Sequence, residues 1–343
     1  PYIQRNTGYS QYDILEKLGY KIDNNREIIL NAQFSNSSDI PRYDRLTDVD
    51  NKTGLLKYAE WYYGPQTRLM SSLNYISKKS GILYDDLSII LSYQNISEDR
   101  INRKFGKDWR LHQEETVDVY GINMDMKKII KEKHKLQYGL EITDNKVNSE
   151  AYNENINSGE KLYNAATRYP DKDNEVLSGS IYLTHSYTLS KKFIINEGLR
   201  YNYYNLDANY SDTMMRIMKF PFGSNISLEQ HSLVGKLGVI YMPVESWRFS
   251  LLMSSGFKNP NIDDISKIND SKGSDRLLVV PNPDLKPEKI YNIELSMMKI
   301  INNSISIEII PFYSLLKDAI VMRPTKFNGS DSIMYDGYLC AVQ

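Results

Sequence analysis

Over residues 247–254 one parity carries Trp247, Phe249, Leu251 and Met253, and the other carries Arg248, Ser250 and Ser254. A period of two with one apolar face is the signature of a β-strand. The same pattern recurs along the chain. Leu87, Ile89, Leu91 and Tyr93 oppose Ser88, Ser92 and Gln94; Leu136, Tyr138, Leu140 and Ile142 oppose Gln137, Gly139, Glu141 and Thr143; Tyr291, Ile293, Leu295 and Met297 oppose Asn292, Glu294 and Ser296. About twelve such segments are spread over 343 residues. Each is near the nine to eleven residues, roughly, that a tilted membrane-crossing strand needs. Short turns such as "KIDNNR", "SKKSG", "KEK", "SKK", "PVES" and "INN" alternate with long polar stretches. The long stretches are expected at residues 35–54, from 94 through Trp109 towards Tyr120, at 144–174, over "SDTMMRIMKFPFGSN", and at 256–288. Long loops at one end and tight turns at the other are what an outer-membrane barrel has by construction.

Composition sharpens the choice between that barrel and a soluble β-protein. The polar parity is rich in Ser, Asn, Gln, Glu, Lys and Arg, and unpaired ions cannot line a dry core. They can line a wet lumen. Tyr is heavily used, 27 residues against 9 Phe and 3 Trp, which suits a membrane-water boundary. No apolar run approaches the ~18 residues of a membrane helix. A net charge of -1 gives no field for nucleic acid. The lone Cys340 forbids an internal disulfide. With no initiator Met or signal-like segment at "PYIQRNTGYS" and a final "GYLCAVQ" that reads as strand, the chain is expected to be an internal piece of a longer protein.

Two motifs on the loop after Trp247 carry a family resemblance. Phe257, Lys258, Asn259 and Pro260 stand where an F-R-A-P-like element would be. Asn282, Pro283, Asp284, Leu285, Lys286, Pro287 and Glu288 match N-P-[ND]-L-[KR]-P-E throughout. The chain resembles the TonB-dependent outer-membrane receptors. "SSDIPRYDRLTD" (residues 37–48) and "WYYGPQTRL" (residues 61–69) are similar to segments of their haem, haemoglobin and transferrin branch. The resemblance implies an antiparallel transmembrane β-barrel, incomplete here at about twelve to thirteen strands of about 22. Residues 1–343 would then be part of the barrel domain, strands four to sixteen, with the plug and the remaining strands outside this chain.

It further implies a receptor of the bacterial outer membrane that carries an iron complex, siderophore or haem, into the periplasm. The expected partners are the TonB, ExbB and ExbD energy-transducing complex, the extracellular ligand and outer-membrane lipid. No cofactor, enzyme activity or nucleic-acid partner is expected. A passive porin-like channel, a barrel adhesin, and cobalamin or glycan as cargo remain open alternatives. Ligand capture is expected of Arg42, Tyr43 and Arg45, of Phe257, Lys258 and Asn259, and of Asn282 and Asp284. Arg42 and Arg45 can grip a carboxylate or phosphate bidentately, or form a self-satisfied cluster with Asp44. Haem receptors of this family have a histidine ligand between the two motifs, and residues 261–281 contain none. His112, beside Trp109 and Arg110, is expected in a loop and able to meet an external ligand, with a solvated loop histidine the plainer reading. His185 falls on the apolar parity of its strand and is expected at a boundary zone or a bulge. Neither "DVDNKTG" nor "DKDNE" completes a calcium loop, and no phosphate-binding glycine loop or G-x-S-x-G is present.

Overall fold

The computed structural model describes residues 4–50, 53–219, 223–266, 277–280, 282, 284–302, 304–335 and 338–343. The alternating segments become one antiparallel wall. It begins with β1 (Gln11–Lys21) and β2 (Arg26–Ser37), after which the chain leaves the wall through β3 (Ile40–Pro41), the one-turn helix α1 (Tyr43–Leu46) and β4 (Tyr58–Tyr63). It re-enters with β5 (Thr67–Ser77), β6 (Asp86–Lys104), β7 (Trp109–Ile130) and β8 (His134–Asn155). Beyond the small β9 (Lys161–Leu162) come β10 (Lys172–Ser190), β11 (Phe193–Asn209), α2 (Asp212–Met218) and β12 (Asn225–Tyr241). Then follow β13 (Trp247–Lys258), α3 (Ile262–Ser266), β14 (Leu277–Leu278), β15 (Glu288–Ile301), β16 (Ile305–Ile309) and β17 (Phe312–Lys317). The strands β18 (Ser332–Tyr335) and β19 (Tyr338–Val342) join β14 in a separate small sheet. In the wall the order is β1-β2-β5-β6-β7-β8-β10-β11-β12-β13-β15-β16, twelve strands as the alternation predicts.

The two faces of this wall are inverted relative to a soluble protein. Leu73, Ile181 and Leu233 are 43, 62 and 69% exposed, whereas their neighbours Ser72, Ser180 and Ser232 are 6, 5 and 3% exposed. Exposed leucines beside sheltered serines are the pattern of a barrel with hydrocarbon outside. The inner face is cross-linked by polar pairs: Arg200 with Glu141 at 2.9 Å, Lys127 with Asp86 at 2.9 Å, and Asn31 donating to Ser72 at 3.2 Å. Towards the short turns the outer face carries a band of rings. Trp247 lies over Phe249 with centroids 5.4 Å apart, and Phe193 over Tyr241 at 4.5 Å. Aromatic rings at that level match the girdle of a membrane barrel. No described helix is long and apolar enough to cross a membrane, which says nothing about strands.

Two expected loops are shorter than the sequence suggests, because much of each is strand. β6 and β7 pair from Asp86↔Lys127 up to Asn102↔Leu111, and β7 and β8 pair up to Trp109↔Asn155, so most of residues 94–119 and 144–155 continues the sheet. β6, β7 and β8 have 19, 22 and 22 residues, about twice what a membrane crossing takes. The segment beyond the membrane meets water or other protein on both faces, so it has no apolar parity by which to be recognised. The turn expected at "SKKSG" is also longer, covering 78–85.

Over the inner side of β10–β12 sits a small apolar core. Tyr204, Leu206, Ala208, Ile226 and Leu228 pack with Tyr210, with Met214 of α2 and with Ile265 of α3. Ser211 caps α2, its hydroxyl accepting the Met214 N–H at 3.1 Å.

Candidate functional site

The projecting part of the wall holds the densest cluster of cations and aromatic rings in the described structure. β4 lies along the top of β6, with Trp61↔Asn102 and Tyr63↔Arg100 in register. A register shift between Tyr58 and Glu60 inserts Ala59 as an extra residue, which brings Tyr58 to the same inner face as Trp61 and Tyr63 and sends Glu60 outwards. Against these rings stand three guanidinium groups. Arg42 is 5.4 Å from the centroids of both Trp61 and Tyr63; Arg45 is 5.6 Å from Trp61 and 6.0 Å from Tyr58; Arg100 is 5.8 Å from Trp61 and 5.6 Å from Tyr63. Trp61 is buried, its ring edge-on to Tyr63 at 5.2 Å.

Of the self-satisfied cluster expected in "PRYDRL", the Arg42–Asp44 half is present, and Arg45 turns to Asp48 instead of Asp44. Arg42 donates to both carboxylate oxygens of Asp44 at 2.8 and 2.7 Å and to the Tyr63 hydroxyl at 2.8 Å. Those bonds hold the Asp44 carboxyl below its usual range. Arg45 pairs with Asp48 at 3.1 Å. Arg100 enters none of the described ion pairs, and its Nε has no acceptor. Tyr43 is exposed on α1.

Below Arg100 the same face carries Glu98 and Glu115, which sit opposite one another across β6 and β7. Gln66 donates to Glu98 at 2.8 Å, and Arg168 reaches Glu98 at 3.8 Å. Glu115 is only 6% exposed, and neither of its oxygens has a hydrogen-bond partner. Burial pushes its pKa up to about 7; Arg168 and Arg100 oppose this, and Glu98 and Asp99 add to it. On the outer face Asp99 is likewise pushed up to about 6, by burial and then by Glu114, Asp39 and Glu98.

The outer side of the extension is an ion ladder. Glu60 accepts from Arg103 and Arg110, both at 2.8 Å; Arg110 reaches Glu154 at 3.6 Å; Glu154 meets His112 Nε2 at 3.0 Å; and His112 stacks on Tyr152 at 4.6 Å. Burial raises the Glu60 pKa, and the two guanidiniums outweigh it, leaving the carboxyl below its usual range. His112 is therefore not a loop histidine. It lies within β7, is buried, and has its pKa lowered chiefly by that burial.

The second group of expected residues lies over β11 and β12. Lys258, at the end of β13 with Phe257, approaches Glu288 at 3.6 Å and Asp264 at 4.0 Å. Asn259 donates to Asn202 at 3.2 Å, and the Pro260 carbonyl accepts from Tyr204 at 2.8 Å. Gln230 donates to the Leu285 carbonyl at 3.0 Å, and Asn282 accepts the Asp284 N–H at 3.0 Å. Asn202, Tyr204 and Gln230 share the inner parity, so Asn259, Pro260 and Leu285 lie over the lumen side of the wall. Pro281 and Pro283, the two prolines of "VVPNPDL", fall outside the described residues. The candidates thus form two groups, one around Trp61 and one over the β11–β12 cap. Trp61, Tyr63, Arg100 and Glu115 were not singled out as site residues. Their signal was "WYY" on its own, since Arg100 and Glu115 join it only through strand register.

His185 is on the outer face as its parity indicates. Its Nδ1 meets Glu197 at 2.8 Å and its Nε2 meets His134 at 3.0 Å, so three polar groups satisfy one another close to the short turns. Among the described residues no cluster of three or more His, Cys, Asp or Glu can hold a metal ion.

The fold of this wall has counterparts. Solved structures of similar fold include a copper transporter, OprC (TM-score 0.67, 9% identity, 90% of this chain and 45% of that one). They also include the Serratia marcescens hemophore receptor HasR, a double mutant in complex with its hemophore HasA and heme (0.64, 15%, 90% and 46%). A third is the ferric citrate transporter FecA in the unliganded form (0.64, 14%, 94% and 45%). The chain spans less than half the length of these proteins. No curated protein matches it. A family model described as "TonB dependent receptor-like, beta-barrel" matches residues 2–335, and the chain accordingly belongs to the TonB-dependent receptors, as part of their transmembrane β-barrel.

Proposed function

We propose that this chain is the ligand-gripping part of a bacterial outer-membrane receptor that takes an anionic iron complex, a siderophore or haem, into the periplasm. In the whole receptor a plug closes the lumen, and TonB with ExbB and ExbD supplies the energy. The observation that carries the reading is the set of three guanidiniums around Trp61. A planar guanidinium backed by an aromatic face binds carboxylates bidentately and loses little entropy in doing so. Arg42 and Arg45 are held in place by Asp44 and Asp48, which leaves Arg100 to meet a ligand carboxylate. The rings beside it offer a surface for the apolar part of a chelate. The Phe257–Asn259 and Asn282–Asp284 group would close on the ligand from the β11–β12 side.

Transport is tested in a strain lacking the gene and its complemented counterpart, by growth and radio-iron uptake on ferric citrate, a ferric siderophore or haem as sole iron source. Energy-dependent uptake of one of these that is lost on deletion supports the reading. Uptake of all of them unchanged by deletion contradicts it, and ligand binding without uptake would make the barrel an adhesin.

A further inference from the structure

Below the Trp61 cluster a strap of chain closes over one carboxyl group. Glu115 on β7 lies directly across from Glu98 on β6 and from Ser149 on β8. Residues 165–170 cross the lumen side of this row and are tied down on two sides of Glu115. Gln113 donates to the Ala166 carbonyl at 3.0 Å, and the Tyr169 N–H donates to the Ser149 hydroxyl at 3.5 Å. The strap is also anchored on α2 and the turn before it, where Met214 accepts the Thr167 N–H at 3.5 Å and Asp171 accepts the Ser211 N–H at 2.8 Å. Ala165, Thr167 and Pro170 are buried in this packing. The strap thus joins the Trp61 group to the β11–β12 cap.

Beneath it four charged side chains gather. Arg168 of the strap reaches Glu98 at 3.8 Å and lies 4.9 Å from the Tyr169 ring, while Arg100 stands two residues from Glu98 on the same face of β6. Neither guanidinium Nε has an acceptor, and neither Glu115 oxygen has a donor. An ionised carboxylate at 6% exposure without a hydrogen bond has lost its water and gained no partner, so the neutral acid is favoured. Burial raises the Glu115 pKa against the pull of Arg168 and Arg100, and Glu98 and Asp99 add to it. Of the other acids nearby, Asp99 and Glu114 are on the outer face, and Asp263 of α3 lies beside Tyr169. With Glu115 neutral, Glu98, Arg100 and Arg168 leave one surplus positive charge; with Glu115 ionised the surplus is gone.

We propose that the receptor binds its anionic ligand together with one proton, carried by Glu115, which makes this glutamate a specificity-determining residue of the site. The inference rests on the reading that Arg100 meets a ligand carboxylate. An anion there brings negative charge towards Glu115 and engages a guanidinium that favours its ionisation, so the protonated form is stabilised further. By linkage, affinity is flat below about 7, where the free receptor already holds the proton, and falls above it, where the proton is drawn from solution.

The test is isothermal titration of the full-length receptor with whichever of ferric citrate, a ferric catecholate siderophore and haem it binds, between pH 6 and 8.5, in two buffers of different ionisation enthalpy. The wild type is expected to take up about one proton per ligand at pH 8 and almost none at pH 6, with affinity falling towards roughly tenfold per pH unit above 7. Glu115→Gln should lose the uptake and flatten the profile. Arg168→Gln, which removes a charge favouring the ionised form, should move the onset of the fall to higher pH. Equal proton uptake in wild type and Glu115→Gln, or a wild-type affinity constant from pH 6 to 8.5, overturns the proton coupling and leaves the anion site standing. Binding of none of the three ligands removes the anionic-ligand reading, and the coupling with it.

Discussion

Arg100 and Glu115 show how much at this site depends on single side chains. Arg100→Gln removes the one guanidinium of the Trp61 cluster without an ion-pair partner and leaves Arg42 and Arg45 in place. Affinity of the full receptor for its anionic ligand is expected to fall about tenfold or more, the worth of a charge-assisted hydrogen bond, as read by isothermal titration. Glu115 predicts a pH dependence. Its folded pKa, about 7, lies above the ordinary 4.5. The folded extension therefore keeps a proton that the opened chain releases, so this contribution is full below about 4.5 and is lost as pH rises through 7. Glu115→Gln should abolish the dependence and protect amides of 98–117 at pH 8 by up to roughly 3 kcal/mol, with no gain at pH 4, measured by hydrogen exchange. The Arg42–Asp44 pair was legible because the two lie beside one another in sequence, whereas Arg45 was expected on Asp44 and pairs with Asp48. Trp61, Tyr63 and Arg100 were not legible, because a one-residue bulge at Ala59 and a distant strand decide what they face.

At the scale of elements, the extension of β6–β8 is a platform of paired strands and not a set of loops. Its outer ladder has Glu60 at the centre, so Glu60→Gln leaves Arg103 and Arg110 half-buried without their shared anion. Opening of residues 58–63 and 100–112 should become easier by roughly 1–2 kcal/mol in hydrogen exchange, with the membrane-crossing strands unchanged. Within those strands, a Cβ at Gly139 would collide with the Met124 carbonyl and press on the Tyr182 hydroxyl. Gly139→Val is expected to abolish the heat-modifiable folded band on electrophoresis, whereas Gly179→Ala, with open space around its Cβ position, should keep it. The crossing parts of the strands were readable because lipid on one side and a polar lumen on the other impose a period of two. Above the membrane that contrast ends, which is why strand at 94–119 was expected as loop and His112 was expected in solvent.

For the whole molecule, the distribution of exposure decides the account. Exposed leucines on one parity and sheltered serines on the other fit a cylinder in lipid, and membership of the TonB-dependent receptors gives that cylinder its place among proteins of the outer membrane. The most direct measurement is nitroxide accessibility by electron paramagnetic resonance, on the full receptor in vesicles, with single labels at outer positions 91, 183 and 237 and inner positions 92, 184 and 236. The outer labels should collide readily with oxygen and hardly at all with a water-soluble nickel chelate, as expected for a label in hydrocarbon. Outer labels open to the nickel chelate, as on a soluble sheet, would contradict the account.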